Sequence, residues 1–314
     1  MVDKLKDKSA VITGGGGGLG REIALAFAEE GANVLVADPG VSRGGEGYDQ
    51  APADKVVAEI KERGGVAIAD YGSVADFKAA EGVIDSCVEN FGRIDILVNC
   101  AGILRERMVW NLSEEDWDMV MAVHLKGTFN CSRRAAALMR EQRYGRIINL
   151  AAEAWRGTAG QANYCAAKGA IVSFTRALAR ELGRYGITAN AVAPLAATRM
   201  TMTEEVKAGL EKQLAAGVIS KTFYDAALNM SGPEYVPPLF VYLASDKAAD
   251  INGQVFHIMK GKVSIYSEPI EVRTIYKTYA NGMWTVDDLE KNVTEQLLVG
   301  YTNPAPAQPP KEQK

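Results

Sequence analysis

Long hydrophobic runs are missing from this chain, and so is any excess of positive charge. No apolar stretch approaches the roughly 20 residues a helix needs to cross a bilayer, so no membrane partner is expected. Lys and Arg number 35 against 39 Asp and Glu, a net charge of -4, which argues against nucleic acid as a partner. Met1-Val2-Asp3-Lys4-Leu5-Lys6 has no apolar core of the kind a secretory leader needs. Lys311-Glu312-Gln313-Lys314 is not the Ser-Lys-Leu peroxisomal address. Cysteine is scarce: Cys87, Cys100, Cys131 and Cys165 are scattered, with no metal-type pairing. No metal site is expected, and the thiols read as reduced groups of a cytoplasmic protein.

What is present is a chain of 314 residues, 47% hydrophobic, long enough to bury a sizeable core. Ser9-Ala10-Val11-Ile12 forms a short strand that runs into Thr13-Gly14-Gly15-Gly16-Gly17-Gly18-Leu19-Gly20. Ile23, Leu25, Ala26 and Phe27 give residues 21–30 a helical apolar side, and Gly31 stops it. A second strand, Asn33-Val34-Leu35-Val36-Ala37, ends at Asp38. Glycines let a backbone approach a pyrophosphate, and the helix start offers free N–H groups. A carboxylate ending the second strand accepts hydrogen bonds from ribose hydroxyls and repels a 2′-phosphate. NAD is therefore the expected cofactor.

Further strands follow at regular intervals. Val66-Ala67-Ile68-Ala69 ends in Asp70, a carboxylate that either reaches an adenine amino group or is simply solvated. Residues 93–98 lead into Asn99-Cys100-Ala101-Gly102, small residues that leave room at a strand's carboxyl end. Residues 146–150 end at Ala151-Ala152, residues 187–193 end at Pro194, and residues 254–259 form a seventh strand. Strands alternating with helices predict an α/β fold, a Rossmann-like, doubly wound, parallel seven-stranded sheet covered on both faces. Residues 1–302 read as a single domain, with 261–302 as a packed C-terminal extension anchored by Ile270, Val272, Tyr276 and Tyr279 among others. Residues 303–314, with four prolines, read as a disordered tail. Residues 40–52 read as a Gly-rich surface loop, and residues 195–230 as two helical stretches broken by Gly217, placed to act as a lid.

The chemistry centres on Gln161-Ala162-Asn163-Tyr164-Cys165-Ala166-Ala167-Lys168. Helical spacing puts Tyr164 and Lys168 on one face, one turn apart. Two unit charges about 4 Å apart at an effective dielectric near 20 interact by roughly 4 kcal/mol. That predicts a Tyr pKa lowered from about 10 towards about 7, useful for moving a proton to or from an alcohol oxygen. An isolated pair of this kind is ordinarily just a surface Tyr and Lys. His124, alone in an apolar helix, is likewise ordinarily structural.

With Thr13-Gly14-x-x-x-Gly18-x-Gly20, Asn99-x-Ala101-Gly102 and Tyr164-x-x-x-Lys168 in this order, the chain resembles the short-chain dehydrogenase/reductases. Stretches such as Phe91-Gly92-Arg93-Ile94-Asp95, Ile103-Leu104-Arg105 and Val123-His124-Leu125 make it most similar to the (3R)-hydroxyacyl-CoA dehydrogenase part of multifunctional enzyme type 2 and its stand-alone bacterial relatives. The resemblance implies that Tyr164 transfers the proton, and that Lys168 lowers its pKa and holds the nicotinamide ribose. It implies that Gly14, Gly18, Leu19, Gly20, Ala101 and Gly102 shape the cofactor site. Asp38 would select the adenosine ribose and Asp70 the adenine. Asn99 would order the strand ends, and Thr198, after Pro194, would face the carboxamide. The implied reaction interconverts 3-hydroxyacyl-CoA and 3-oxoacyl-CoA. Trp155, Arg156 and Glu153 fall where the substrate loop begins, Arg105 and Arg107 could face CoA phosphates, and Met108, Trp110, Met200 and Met202 could line an acyl channel. A homodimer or homotetramer through the helices around Trp117 and Tyr164 is expected.

Two positions depart from the common pattern. His124 stands where most relatives carry the Asn of a proton relay through the Lys, which implies a catalytic role for it, and the multifunctional-enzyme group also has His there. Ala151 stands where the family has the Ser that hydrogen-bonds the substrate oxygen, and Ala152 has no hydroxyl either. Losing one such donor costs on the order of 10²–10³ in rate. Three readings stand: an enzyme in which a neighbour such as Asn149 or Glu153 takes over, a silent subunit that binds the dinucleotide beside an active partner, or an introduced substitution.

Overall fold

A computed structural model describes residues 3–198, 202, 204–215, 217, 220–277 and 283–304. Met200, Tyr279, residues 305–314 of the tail and several positions of the expected lid lie outside the described residues.

The strands are β1 (Ser9–Thr13), β2 (Asn33–Ala37), β3 (Val66–Asp70), β4 (Ile96–Asn99), β5 (Gly145–Leu150), β6 (Ile187–Pro194), β7 (Val255–Met259) and β8 (Lys262–Ile265). They form one sheet in the order β3-β2-β1-β4-β5-β6-β7-β8. The first seven pair in parallel, as expected, and β8 adds an antiparallel edge against β7. A tight turn suffices for an antiparallel return, whereas every parallel step needs a crossover.

Helices α1 (Gly18–Glu29), α2 (Ala51–Glu62), α3 (Phe77–Phe91), α5 (Gly127–Gln142), α6 (Ala162–Leu182) and α9 (Pro237–Ala244) cover the sheet. Side chains alternate across a strand, and here the two sets feed two cores. Ala10, Ile12, Val34, Val36 and Val98 pack with α1, α2 and α9. Val11, Leu35, Leu97, Ile147 and Ala189 pack with α3, α5 and α6. Phe27 of α1 is fully buried in the first core.

Local chemistry moves some boundaries. The strand expected from residue 93 starts at Ile96, because Arg93 chelates the buried Asp95, whose carboxylate also accepts the Ser9 N–H at 3.0 Å. The long helix expected after Glu114 is α4 (Glu114–Met121), a π-helical turn over Ala122–Lys126, and then α5. Such single π turns recur at functional sites. The stretches on either side of Gly217 are α7 (Glu204–Ala215) and α8 (Lys221–Leu228).

Contacts divide the chain into two compact units, Met1–Tyr266 and Ser267–Lys314. The boundary falls after Tyr266, not at 261, because residues 262–265 join the sheet. In the second unit α10 (Val286–Asn292) starts at a capping box. The Thr285 hydroxyl accepts the Asp288 N–H at 3.2 Å, and the Asp288 carboxylate accepts the Thr285 N–H at 3.0 Å. Ile270, Val272 and Tyr276, expected as buried anchors, are exposed. A stretch this short has too little apolar surface to enclose them itself.

Replacing Phe27 by Ala is expected to cost about 3–5 kcal/mol. Urea unfolding should show this as a lower midpoint at an unchanged slope.

Candidate active site

The turn between β1 and α1 fits tightly against the segment after β4. Gly14 has φ +67°, and a Cβ there would stand 2.7 Å from the Ala101 Cα. A Cβ on Gly20 would stand 2.1 Å from the Gly14 carbonyl oxygen. Only glycine fits either place. The Thr13 hydroxyl accepts the N–H groups of Cys100 and Ala101, both at 3.1 Å, and so locks the two segments together.

A cleft opens here at the carboxyl ends of the strands. Gly14, Gly18, Leu19, Gly20, Asp38, Ala101, Gly102 and Thr198 line it, together with Cys100, Ile103 and Leu150. The order β2-β1-β4 makes this the point where the chain's direction of winding switches, the usual ligand crevice of such sheets. Asp38 is buried. Its Oδ2 accepts the Gly16 N–H at 2.9 Å and its Oδ1 the Gly40 N–H at 2.7 Å. A carboxylate has about four lone-pair sites, so acceptor capacity remains.

Not every expected cofactor residue is in the cleft. Asp70 turns its Oδ1 to the Gly72 N–H at 2.8 Å and is not among the lining residues, and neither is Pro194. Ser73, Val74 and Ala75 form the wall there instead. Asn99 works behind the cleft. Its Nδ2 donates to Ser132 Oγ at 3.0 Å and to Asn149 Oδ1 at 2.8 Å. Asn149 Nδ2 donates to Thr175 Oγ1 at 2.9 Å, and Thr175 donates to the Ile171 carbonyl at 2.7 Å. This chain ties β4 and β5 to α5 and α6. Sequence patterns identified Asn99 but not Ser132 or Thr175, which carry no motif of their own.

Tyr164 and Lys168 lie on the first turns of α6, behind Cys100 and Leu150 rather than on the cleft lining. The Lys168 ammonium is buried, donates to the Leu150 carbonyl, and stands 5.5 Å from the Tyr164 ring centroid. Burial pulls its pKa down to about 8. The Tyr164 ring packs against Ile103, Val120 and Ala167, and its hydroxyl has no hydrogen bond among the described residues. Burial pushes its pKa up, with the charges of Cys100, Cys165 and Glu106 adding to the shift. The expected lowering of the phenol by Lys168 is therefore not met. Desolvation outweighs an ammonium directed at a carbonyl.

His124 sits in the π turn. Its Nε2 lies 2.8 Å from the Ile103 carbonyl oxygen and 3.0 Å from the Ile103 nitrogen. Its ring meets Tyr164 edge-on, with centroids 5.1 Å apart. Burial holds its pKa down to about 3. A Cβ on Gly102 would come within 2.5 Å of its Cε1, so this glycine makes room for the ring.

The methyl of Ala151 is enclosed by Val172, Ala191, Ala193 and Val255, with Trp155 and Tyr266 packed over them. Glu153 turns away from the cleft. Its Oε1 accepts the Tyr266 hydroxyl and lies 3.0 Å from His257 Nδ1, and its Oε2 pairs with Arg156 at 3.2 Å. Arg105 is held by Glu46, Glu115 and Asp116, and Arg107 donates to the Glu106 carbonyl. Arg105 is thus structural rather than turned to a phosphate. Trp110 is exposed, and Met108 largely so.

Comparison with known proteins agrees with this geometry. Residues 8–209 match the short chain dehydrogenase family. The chain is a short-chain dehydrogenase/reductase. A crystal structure of a short chain dehydrogenase from Mycobacterium avium is 41% identical, with a TM-score of 0.79 over 96% of this chain and 97% of that one. Hydroxyacyl-CoA dehydrogenase ChsB1 of Mycobacterium tuberculosis is 39% identical over 84% of this chain and 81% of its own. Peroxisomal multifunctional enzyme type 2 of Drosophila melanogaster is 37% identical over 90% of this chain and 45% of its own. The chain spans less than half the length of the multifunctional relatives it matches first. This short-chain dehydrogenase/reductase is accordingly an oxidoreductase by family, with a fold that takes a nicotinamide dinucleotide. No helix among its described residues is long and apolar enough to cross a membrane.

The buried, neutral His124 sets a pH dependence. Its folded pKa of about 3 lies below the ordinary histidine value of 6.5, so the unfolded chain takes up a proton that the folded one refuses. Its contribution to stability is complete above about pH 6.5 and declines as pH falls towards 3, by up to about 1.4 kcal/mol per pH unit. His124→Gln should flatten the stability profile between pH 6 and 4, as measured by urea titrations at each pH.

Proposed function

We propose that this protein is an NAD-dependent oxidoreductase that interconverts 3-hydroxyacyl-CoA and 3-oxoacyl-CoA, or acts on a related bulky acyl-CoA or steroid alcohol. The observation that carries the reading is a cleft with an acceptor carboxylate, Asp38, at one wall and, behind another, the half-buried Tyr164 with the buried Lys168. The glycine turn fits a pyrophosphate, because any side chain at Gly14 or Gly20 would collide with backbone. The remaining acceptor capacity of Asp38 suits ribose hydroxyls, and its charge opposes a 2′-phosphate. When bound, the dinucleotide supplies the hydride acceptor or donor. The chain's own residues handle the proton. With its pKa raised, the Tyr164 phenol holds its proton at neutral pH and is suited to donate it to a developing alkoxide. The Lys168 ammonium, beside Leu150 at the cleft wall, is placed for ribose hydroxyls and for stabilising negative charge.

Nothing described takes the place of the missing serine. Asn149 is spent in the Asn99–Thr175 chain, and Glu153 is spent on Tyr266, His257 and Arg156. Activity is therefore weakened by on the order of 10²–10³. The enclosure of the Ala151 methyl in an apolar cluster favours a second reading: a silent subunit that binds NAD(H) and supports an active partner.

Trp117 and Phe129, both large and exposed, support a homo-oligomer built on the helices near Tyr164. The free cysteines fit a reducing compartment such as the cytoplasm, although several relatives are named as peroxisomal.

Calorimetry should show NADH binding at least about tenfold more tightly than NADPH, because Asp38 opposes the extra phosphate. NADH absorbance with a panel of 3-hydroxyacyl-CoAs tests the reaction. Ala151→Ser should raise turnover by at least about tenfold, and Tyr164→Phe should abolish it with NADH binding retained. No turnover in either the wild type or the serine variant, with NADH still bound, favours the silent subunit.

A further inference from the structure

Residues 40–52 are expected as a surface loop; residues 40–50 instead form a strap along the cleft, and α2 begins at Ala51. Val41, Ser42, Arg43 and Gly45 line the cavity directly. The strap is bound to the segment after β4. The Leu104 N–H donates to the Arg43 carbonyl at 2.9 Å, Arg105 Nε donates to the Gly44 carbonyl at 2.8 Å, and Arg105 pairs with Glu46 at 3.1 Å. Val41 packs on Ile103, Val120 and Ala167, the same cluster that receives the Tyr164 ring.

Glu106 joins the two sides. Its Oε2 accepts from the Arg43 guanidinium at 2.5 Å and its Oε1 from Gln161 Nε2 at 2.5 Å. Gln161 immediately precedes α6, and Arg107 forms an isolated β-bridge with it. One planar carboxylate thus holds the strap with one oxygen and the start of the catalytic helix with the other. Its two oxygens turn as a unit, so fixing Arg43 restricts where Gln161 can be held. An ordinary surface ion pair would hold the loop and nothing more.

We propose that Glu106 is a positioning residue that couples the strap over the dinucleotide cleft to the first turn of the Tyr164 helix, so that filling the cleft orders Tyr164. The proposal rests on the dinucleotide reading of that cleft. Both partners of Glu106 are donors. A glutamine there could still accept from Arg43 and donate to a flipped Gln161 amide, so the variant that tests the link is Glu106→Leu, which removes both oxygens and with them both bonds. Gln161→Leu cuts the helix side alone and leaves the strap pair in place.

Amide hydrogen exchange with and without saturating NADH, alongside calorimetry, tests this without turnover. In the wild type NADH should slow exchange at residues 14–20 and, by about tenfold, at residues 162–166. In both variants residues 14–20 should stay protected, while the NADH-dependent slowing at 162–166 falls at least about threefold. NADH affinity should fall about threefold to tenfold in Glu106→Leu and hardly at all in Gln161→Leu. Equal NADH-dependent slowing at 162–166 in all three proteins overturns the coupling and leaves the dinucleotide reading standing. Faster exchange at 162–166 in the variants with the NADH-dependent change intact also overturns it, as a purely structural role. If the wild type shows neither binding heat nor protection at 14–20, the dinucleotide reading fails and the coupling fails with it.

Discussion

Two backbone segments approach each other at the switch point of the sheet more closely than any side chain would permit. Gly14 lies against Ala101, and Thr13 fastens the contact by accepting two successive N–H groups from the β4 side. This contact sets the position of the cleft. It aims the start of α1 into the cavity and places Cys100, Ala101 and Gly102 along the wall. It also fixes Ile103, whose backbone holds His124, and so determines how the π turn approaches the Tyr164 ring.

Behind that wall, burial governs the charges more than pairing does. Tyr164, Lys168 and His124 are each shifted towards the neutral form, and desolvation is the leading cause for all three. In a medium of low polarisability an ammonium five or six ångströms from a phenol ring does not compensate for the water that both have lost, and the ammonium takes the nearest carbonyl instead. The result is a phenol that keeps its proton at neutral pH. Such a site depends on whatever enters the cleft to supply the polar partners that the protein withholds.

Much of the framework was legible along the chain. Short continuous apolar runs mark the strands, Gly31 marks the end of α1, and Asp38 is recognisable as the acid closing β2. The eighth strand was missed because its four residues lack a distinct pattern and gain their stability from pairing with β7. A Gly-rich composition marks residues 40–52 as a loop and says nothing of the Arg43–Glu106 pair, whose partners are 63 residues apart. Asp70 and Glu153 were placed at the site by their position after a strand. Both instead satisfy nearby donors, Gly72 for the first, and Tyr266, His257 and Arg156 for the second.

The amino-acid sequence alone determined the alternation of strands and helices, the glycine turn after β1, the acid that closes β2 and the absence of a hydroxyl at Ala151. These are local properties, set by backbone freedom and side-chain period within a few residues. Only the tertiary structure decided that Lys168 reaches Leu150, that Asn149 is committed to Asn99 and Thr175, and that Glu106 stands between the strap and the start of α6. Those outcomes follow from competition among donors, acceptors and burial across distant segments, which no window of sequence contains.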